Sequence, residues 1–300
     1  MVTRKLFAIV ALALLAVGCA TRPTDAIRVG SYNIRLSGSP QRRADAGTPN
    51  MWDLRKTDLV ELVKKLDLDA FGLQEVCPDQ AAYLRDNLPE FEFVGEHREA
   101  DRKSGEASPV FYRKSRFEAE KYGTFWLSET PDIPGLKGWG AACPRVCSYL
   151  VLRDKSTGKR FCFANTHTDH ISAEAREKGM LLIIERMKDF GAGSPIVFTG
   201  DHNCRHSDAP AVAVRKLLKD ARDASETPDP GPMNTFQGFG KFKDGPVDKN
   251  GKKYDDYRID YIYVSDGVRV LDFATHGDMR PGTDLYPSDH FPVTATLELP

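Results

Sequence analysis

Six short strings in this 300-residue chain set polar side chains among apolar or small neighbours. Asn33 lies in VGSYNIR, Glu75 in AFGLQEV and His167 in FANTHTDH. Asp201 and Asn203 lie in IVFTGDHN, Asp260 in RIDYIYV, and Asp289 with His290 in PSDHFPV. A polar group in such a setting needs a partner or a task, because burying it alone is costly. Side chains on a strand alternate faces, so Asp201 and Asn203 emerge on one side, as do Asn165 and His167, and each pair can address one ligand. Carboxylate and amide oxygens are hard donors of the kind Mg²⁺ or Mn²⁺ takes. A zinc site would need ordered Cys pairs with His partners at set spacing, and the six cysteines do not supply that pattern.

In this order, the six strings resemble the endonuclease/exonuclease/phosphatase superfamily, and the resemblance covers essentially all of the chain after its leader. The segment WLSETP…GWGAACPR (residues 126–145) and THTDH are similar to a group of exported bacterial members. The resemblance implies a divalent-metal-dependent phosphoester hydrolase. It also implies the fold: an α/β four-layer sandwich of the DNase-like type, two packed mixed β-sheets flanked by helices, with the site where strand ends converge.

The roles follow the chemistry of an anionic ester, in which water must be activated while charge builds on the phosphoryl oxygens. Glu75 and Asn33 are expected to hold Mg²⁺ or Mn²⁺, with Asp289 as a further ligand or supporting group. Asp201 would orient or deprotonate the attacking water, and Asn203 would hold that water or a phosphoryl oxygen. His167 and His290 would act as cationic or hydrogen-bonding clamps where charge develops. Asp260 would orient His290 and favour its protonated ring. Arg145 resembles a phosphate-facing arginine of the exported group. Arg176, on a helix, and His170, close after His167, are further candidates for substrate contact, against a surface salt bridge for the first and a loop-stabilising role for the second.

Strand and helix patterns alternate from Ile27 to the C-terminus with no linker. Strands are expected at 27–34, 69–76, 91–95, 109–113, 117–126, 146–152, 161–166, 195–199, 258–264, 269–273 and 293–299. Helices are expected at 52–66, from Pro78 onward, from a Ser172 cap to about Phe190, and at 208–218. The run of short strands implies mixed or antiparallel pairing. Met180, Ile183, Ile184 and Met187 repeat at helical spacing and read as core. Loops at 129–142, 228–245 and 281–287 are the expected carriers of substrate contacts, with Trp126 and Trp139 flanking the first and read as packing residues.

The N-terminus carries Arg4 and Lys5 before an apolar run from Leu6 to Gly18 that is too short to span a bilayer, the pattern of an export signal. It ends in Ala16-Val17-Gly18-Cys19, which resembles a bacterial lipobox, so residues 1–18 are expected to be removed and Cys19 lipidated. Residues 19–25 would then be a tether and 26–300 one domain, exported, anchored to the cell envelope by that lipid alone and acting as a monomer. Of the other five cysteines, Cys143 and Cys147 lie in a Pro-containing stretch where an exported chain can form a bridge. Lys and Arg number 42 against 43 Asp and Glu, which does not look like a phosphate-coating surface and turns the reading from nucleic acid towards a small, sugar or lipid phosphate.

Three competing readings are kept in view. A metal-dependent endo- or exonuclease is the alternative within the superfamily. A calcineurin-like phosphoesterase would need a GNH string and late GHxH ligands, which the chain lacks. A non-catalytic, glycan-binding surface lipoprotein would be expected to have lost at least one of the site residues.

Overall fold

The computed structural model describes residues 23–39, 42–242 and 257–300. The leader, Cys19, most of the tether and the end of the 228–245 loop lie outside the described residues. Among the described residues, no helix is long and apolar enough to cross a membrane.

The chain runs β1 (Ile27–Asn33), α1 (Trp52–Lys65), β2 (Ala70–Gln74), α2 (Pro78–Asn87), β3 (Phe91–Val94) and β4 (Val110–Arg113). It continues through β5 (Phe117–Trp126), β6 (Val146–Asp154), β7 (Arg160–His167), α3 (Ala173–Gly191), β8 (Ile196–Asp201) and α4 (Ala209–Arg215). It closes with β9 (Lys219–Asp220), α5 (Ala221–Ala224), β10 (Asp260–Val264), β11 (Arg269–Thr275) and β12 (Val293–Glu298). Pro78 opens α2, and the Ser172 hydroxyl caps α3 by accepting from the Ala175 amide. The helix expected at 208–218 is shorter, because after Arg215 the chain turns to bury Leu218 and pair β9 with β10. The sequence reading missed β9 and α5.

Two six-stranded sheets form, in the orders β11-β12-β1-β2-β4-β3 and β5-β6-β7-β8-β10-β9. Each is antiparallel except at one central parallel pair, β1 with β2 and β7 with β8. One apolar cluster, including Val29, Ala70, Phe163, Val197, Ile262 and Val293, fills the space between the sheets. A second joins the first sheet to α1 and α2 through Leu59, Val63, Phe71, Leu73 and Leu84. A third joins the other sheet to α3 and α4 through Ala164, Phe198, Ile183, Met187 and Val214. Three interlayer cores make four layers, helix–sheet–sheet–helix, as expected.

Asn165 belongs to this framework and not to the site. Its amide donates to Leu73 O and Pro109 O (2.8 and 2.9 Å), and its Oδ1 accepts from Gln74 Nε2 (2.7 Å) and Thr199 Oγ1 (3.0 Å), tying the sheets together. A Cβ on Gly72 would lie 2.1 Å from Asn165 Oδ1, so the close approach requires glycine there. The bridge left open between Cys143 and Cys147 is absent, and all five described cysteines are free. Cys147 is buried in the core beneath α3 while Cys143 faces a cavity, so the two thiols belong to different environments.

Candidate active site

Strand register alone gathers most of the polar residues into one row. Asn33 stands beside Gln74 at the ends of β1 and β2, His167 beside Asp201 at the ends of β7 and β8, and Asp201 beside Asp260 at the start of antiparallel β10. Glu75 and Asn203 lie just beyond their strands and both adopt left-handed backbone, φ 64° and 47°. That conformation costs a non-glycine residue roughly 1–2 kcal/mol, and side-chain bonds hold it. Glu75 accepts from the Leu36 amide (2.8 Å) and from Asn33 Nδ2 (3.1 Å). Asn203 donates its amide to His167 Nε2 (2.8 Å) and to Thr168 O (3.0 Å).

The carboxylates and imidazoles then separate by environment. Asp201 accepts from Asn33 Nδ2 and from the Asn203 backbone amide, each at 2.9 Å. Burial, with the Asp260 carboxylate nearby, pushes its pKa up to about 7. Burial opposes charge on His290, but Asp260, 2.8 Å from its Nδ1, overrides this and raises it to about 10, so the ring is an imidazolium at neutral pH. His167 goes the other way: burial, then Arg145 and the charged His290, drive it well below the usual histidine value. It is a neutral ring whose Nε2 takes the Asn203 proton, so its own proton sits on Nδ1, 3.9 Å from Glu106. Of the two expected clamps, one is a cation and the other a neutral hydrogen-bonding group.

Glu75, His167, Asp201, Asn203 and His290 line a cavity of about 460 Å³ that also takes in Asp289, Arg145 and His170, while Asn33 and Asp260 are fully buried and hold Asp201 and His290 by hydrogen bonds. Arg145 is 5% exposed, donates to His170 Nδ1 (3.1 Å), and has no hydrogen-bond partner at Nε. Of the three expected substrate contacts, Arg176 is the exception. It lies behind the wall, donating to the Asp169 carbonyl (2.9 Å), because its turn of α3 faces the His167–Ser172 loop and not the cavity. The sequence reading missed Arg35, Arg98, Glu106, Phe236, Tyr257 and Ile259, which also line it. Arg35 follows Asn33 by two and had a strand-face signal, whereas Arg98 and Glu106 sit in a polar, charge-rich loop that marks neither out.

Four carboxylates crowd this cavity, with Arg35, Arg98, Arg145 and the charged His290 among them. Burial raises Asp289, with His290 opposing and Glu75 adding to the rise, and burial and then Glu75 raise Glu106, so both groups resist ionising beside Glu75. A hard divalent cation relieves that repulsion, and Glu75 with Asp289 offers the oxygen donors for it. Asp201, Asp260 and His290 also offer ligand atoms within 4.8 Å of one another, but a protonated His290 already bonded to Asp260 is no ligand. Asn33 differs from the expected oxygen ligand. Its nitrogen faces Glu75 and Asp201 while its Oδ1 accepts from the Arg35 amide (3.0 Å), so here it pins two carboxylates.

Comparison with known proteins places this geometry. Residues 30–290 match the model of the Endonuclease/Exonuclease/phosphatase family. The crystal structure of an endonuclease/exonuclease/phosphatase from Bacteroides vulgatus is 33% identical, superposes with a TM-score of 0.81, and covers 92% of this chain and 99% of its own. The mannosyl-6-phosphatase of Bacteroides thetaiotaomicron is 32% identical with a TM-score of 0.76, over 90% of this chain and 99% of its own. Nocturnin of Drosophila melanogaster is 23% identical over 283 residues, 83% of this chain. The chain spans less than half the length of the curated relatives it matches, 42% and 30%. The chain belongs to the endonuclease/exonuclease/phosphatase family, whose members are phosphoester hydrolases.

Proposed function

We propose that this protein hydrolyses the phosphoester of a small phosphorylated molecule with the help of Mg²⁺ or Mn²⁺. The observation that carries the reading is one cavity holding a proton acceptor near neutrality, a fixed imidazolium and a cluster of mutually repelling carboxylates. Glu75 and Asp289 would hold the cation, which when bound neutralises charge on the phosphoryl group. Asp201, with a pKa of about 7, takes the proton of the attacking water. Asn203 has both amide hydrogens engaged, which leaves its Oδ1 to accept from that water. His290 Nε2, 3.7 Å from Asp201 Oδ2, donates to the phosphoryl oxygens as charge builds. Arg145, buried and under-partnered, supplies a second cationic contact.

A cavity of about 460 Å³ lies within the roughly 300–1,000 Å³ typical of small-molecule sites. With the near-even charge of the chain, this supports a small phosphate over a nucleic-acid strand. Export and lipidation at Cys19 belong to the same proposal and rest on the N-terminal sequence, and the protein is proposed to act as a monomer. The test is a screen with Mg²⁺ or Mn²⁺ over bis-(p-nitrophenyl) phosphate, sugar phosphates, sphingomyelin, DNA and RNA. Hydrolysis is expected of the wild type and not of folded Asp201→Ala or His290→Ala. A wild type that cleaves none of them, or variants that retain full rate, would refute the reading.

A further inference from the structure

A second cavity, of about 580 Å³, adjoins the first, and the two share a wall made by Arg98 and Glu106. That wall is an ion pair, Arg98 to Glu106 Oε2 at 2.7 Å. The two cavities draw on the sheets unequally. Asp201, Asn203 and His167 reach the first from the β7–β8 side, whereas the second is built from segments after β1 and β2, including Leu36, Ser39, Cys77 and Pro78, and from the 98–106 loop. In phosphoryl transfer the attacking and leaving oxygens lie roughly in line on opposite sides of phosphorus. If water is activated at Asp201, on one sheet, the leaving oxygen departs towards the other sheet, where the second cavity opens.

Its lining has two characters. Leu36, Cys77 and Pro78 give an apolar surface. Around it stand the Ser39 and Ser104 edges, the Arg98–Glu106 pair and a second ion pair, Arg43 to Asp79 at 2.5 Å. Ser39 and Arg42 exchange backbone hydrogen bonds of 3.0 and 3.1 Å at that rim. An apolar patch edged by paired charges and hydroxyls complements a ring with a C–H face and a hydroxylated edge. A long acyl chain would cover those ion pairs and hydroxyls with methylene groups, removing their water and offering no hydrogen bond in return.

The geometry points to this second cavity as the leaving-group subsite, accommodating the polyhydroxylated ring of a sugar phosphate whose phosphoryl group occupies the first. The inference rests on the hydrolase reading and adds the class of alcohol released. The experiment compares kcat/KM for a hexose 6-phosphate and for methyl phosphate, with Mg²⁺ or Mn²⁺, in wild type, Leu36→Trp and Ser39→Trp. Wild type is expected to prefer the hexose ester by at least about tenfold. Filling the cavity from either wall should lower the hexose-to-methyl ratio at least about fivefold. Ser39 is exposed, so the second variant guards against a folding failure of the first. Equal rates on the two esters in wild type, or a folded variant that loses both in proportion, overturn the subsite alone. No hydrolysis of either ester by wild type overturns the hydrolase reading and the subsite with it.

Discussion

Arg55→Met tests how the helix layer governs the site. Arg55 is fully buried on α1 and donates to four carbonyls: Asn50 O (2.8 Å), Ile34 O (2.6 Å), Arg35 O (2.7 Å) and Pro287 O (3.0 Å). Two of these follow Asn33, and the last precedes Ser288, Asp289 and His290, so one guanidinium ties both halves of the site. Methionine keeps the stem and removes every donor. Arg35 O retains Gln80 Nε2 at 2.9 Å, which leaves three carbonyls without this partner, at about 2 kcal/mol each. Against that, burial lowers the Arg55 pKa from the ordinary guanidinium range to about 10, a cost of about 3 kcal/mol that methionine relieves. The expected net loss is therefore about 3 kcal/mol in urea unfolding. A shift of the Asp289–His290 loop should also lower kcat by at least tenfold, since misplacement by about 1 Å can cost a hundredfold. Arg55→Lys, with its charge and one cluster of donors, should fall between. An Arg55→Met protein within about 1 kcal/mol of wild type in stability and within twofold in kcat would refute the argument.

Asp201→Asn should separate activity from stability: kcat falls about 10²–10⁴-fold, while the melting temperature holds or rises, because the charge removed is one that burial and Asp260 already disfavour. A large drop in melting temperature would contradict that account. Adding Mn²⁺ to chelator-treated wild type should raise its melting temperature by mass action, and Glu75→Gln should blunt the rise, followed by calorimetry without any substrate. Away from the site, Asp154 is lowered to about 2: burial opposes this, but the Ser156 hydroxyl and Arg116 (2.9 Å) outweigh it. Its contribution is fully present above the unfolded value near 3.8 and is lost as pH falls through about 2. Asp154→Asn should therefore cost about 2 kcal/mol at pH 7, a gap that closes between about pH 4 and 2 in acid titrations of stability.

Much of this fold is legible because its strands and helices keep their periods: every expected strand forms, with ends shifted by a residue or two. The short β9 and α5 escaped notice because two- and four-residue elements carry no period to detect; edge pairing with Tyr263 and Val264 defines the first of them. Arg55 shows a subtler limit. It sits at the spacing of Trp52, Leu59 and Leu62, on the stripe that packs inward, yet a charged residue there reads as solvent-facing unless the carbonyls that await it are known. Within the site, the row made by Asn33, His167, Asp201 and Asp260 was readable as polar strand ends, since register does the gathering. Glu106 was not, because its surroundings in sequence are as polar as itself and its partners meet only when the 98–106 loop closes on itself, pairing Arg98 with Glu106, and packs against Arg145.

The two imidazoles show why residue type alone does not assign a role. His167 and His290 both lie in strings of the same kind, and both rings lie near the Asp201 carboxylate, at 3.4 and 3.7 Å. What divides them is the second neighbour. Asp260 stands 2.8 Å from one nitrogen of His290 and makes it a cation, whereas the Asn203 amide donates to His167, which is compatible only with an unprotonated nitrogen there. That donor is itself fixed by the left-handed turn after β8. The turn thus agrees with what burial, Arg145 and the charged His290 already impose on His167, and the charged neighbours divide the pair: a carboxylate beside one ring, cations beside the other.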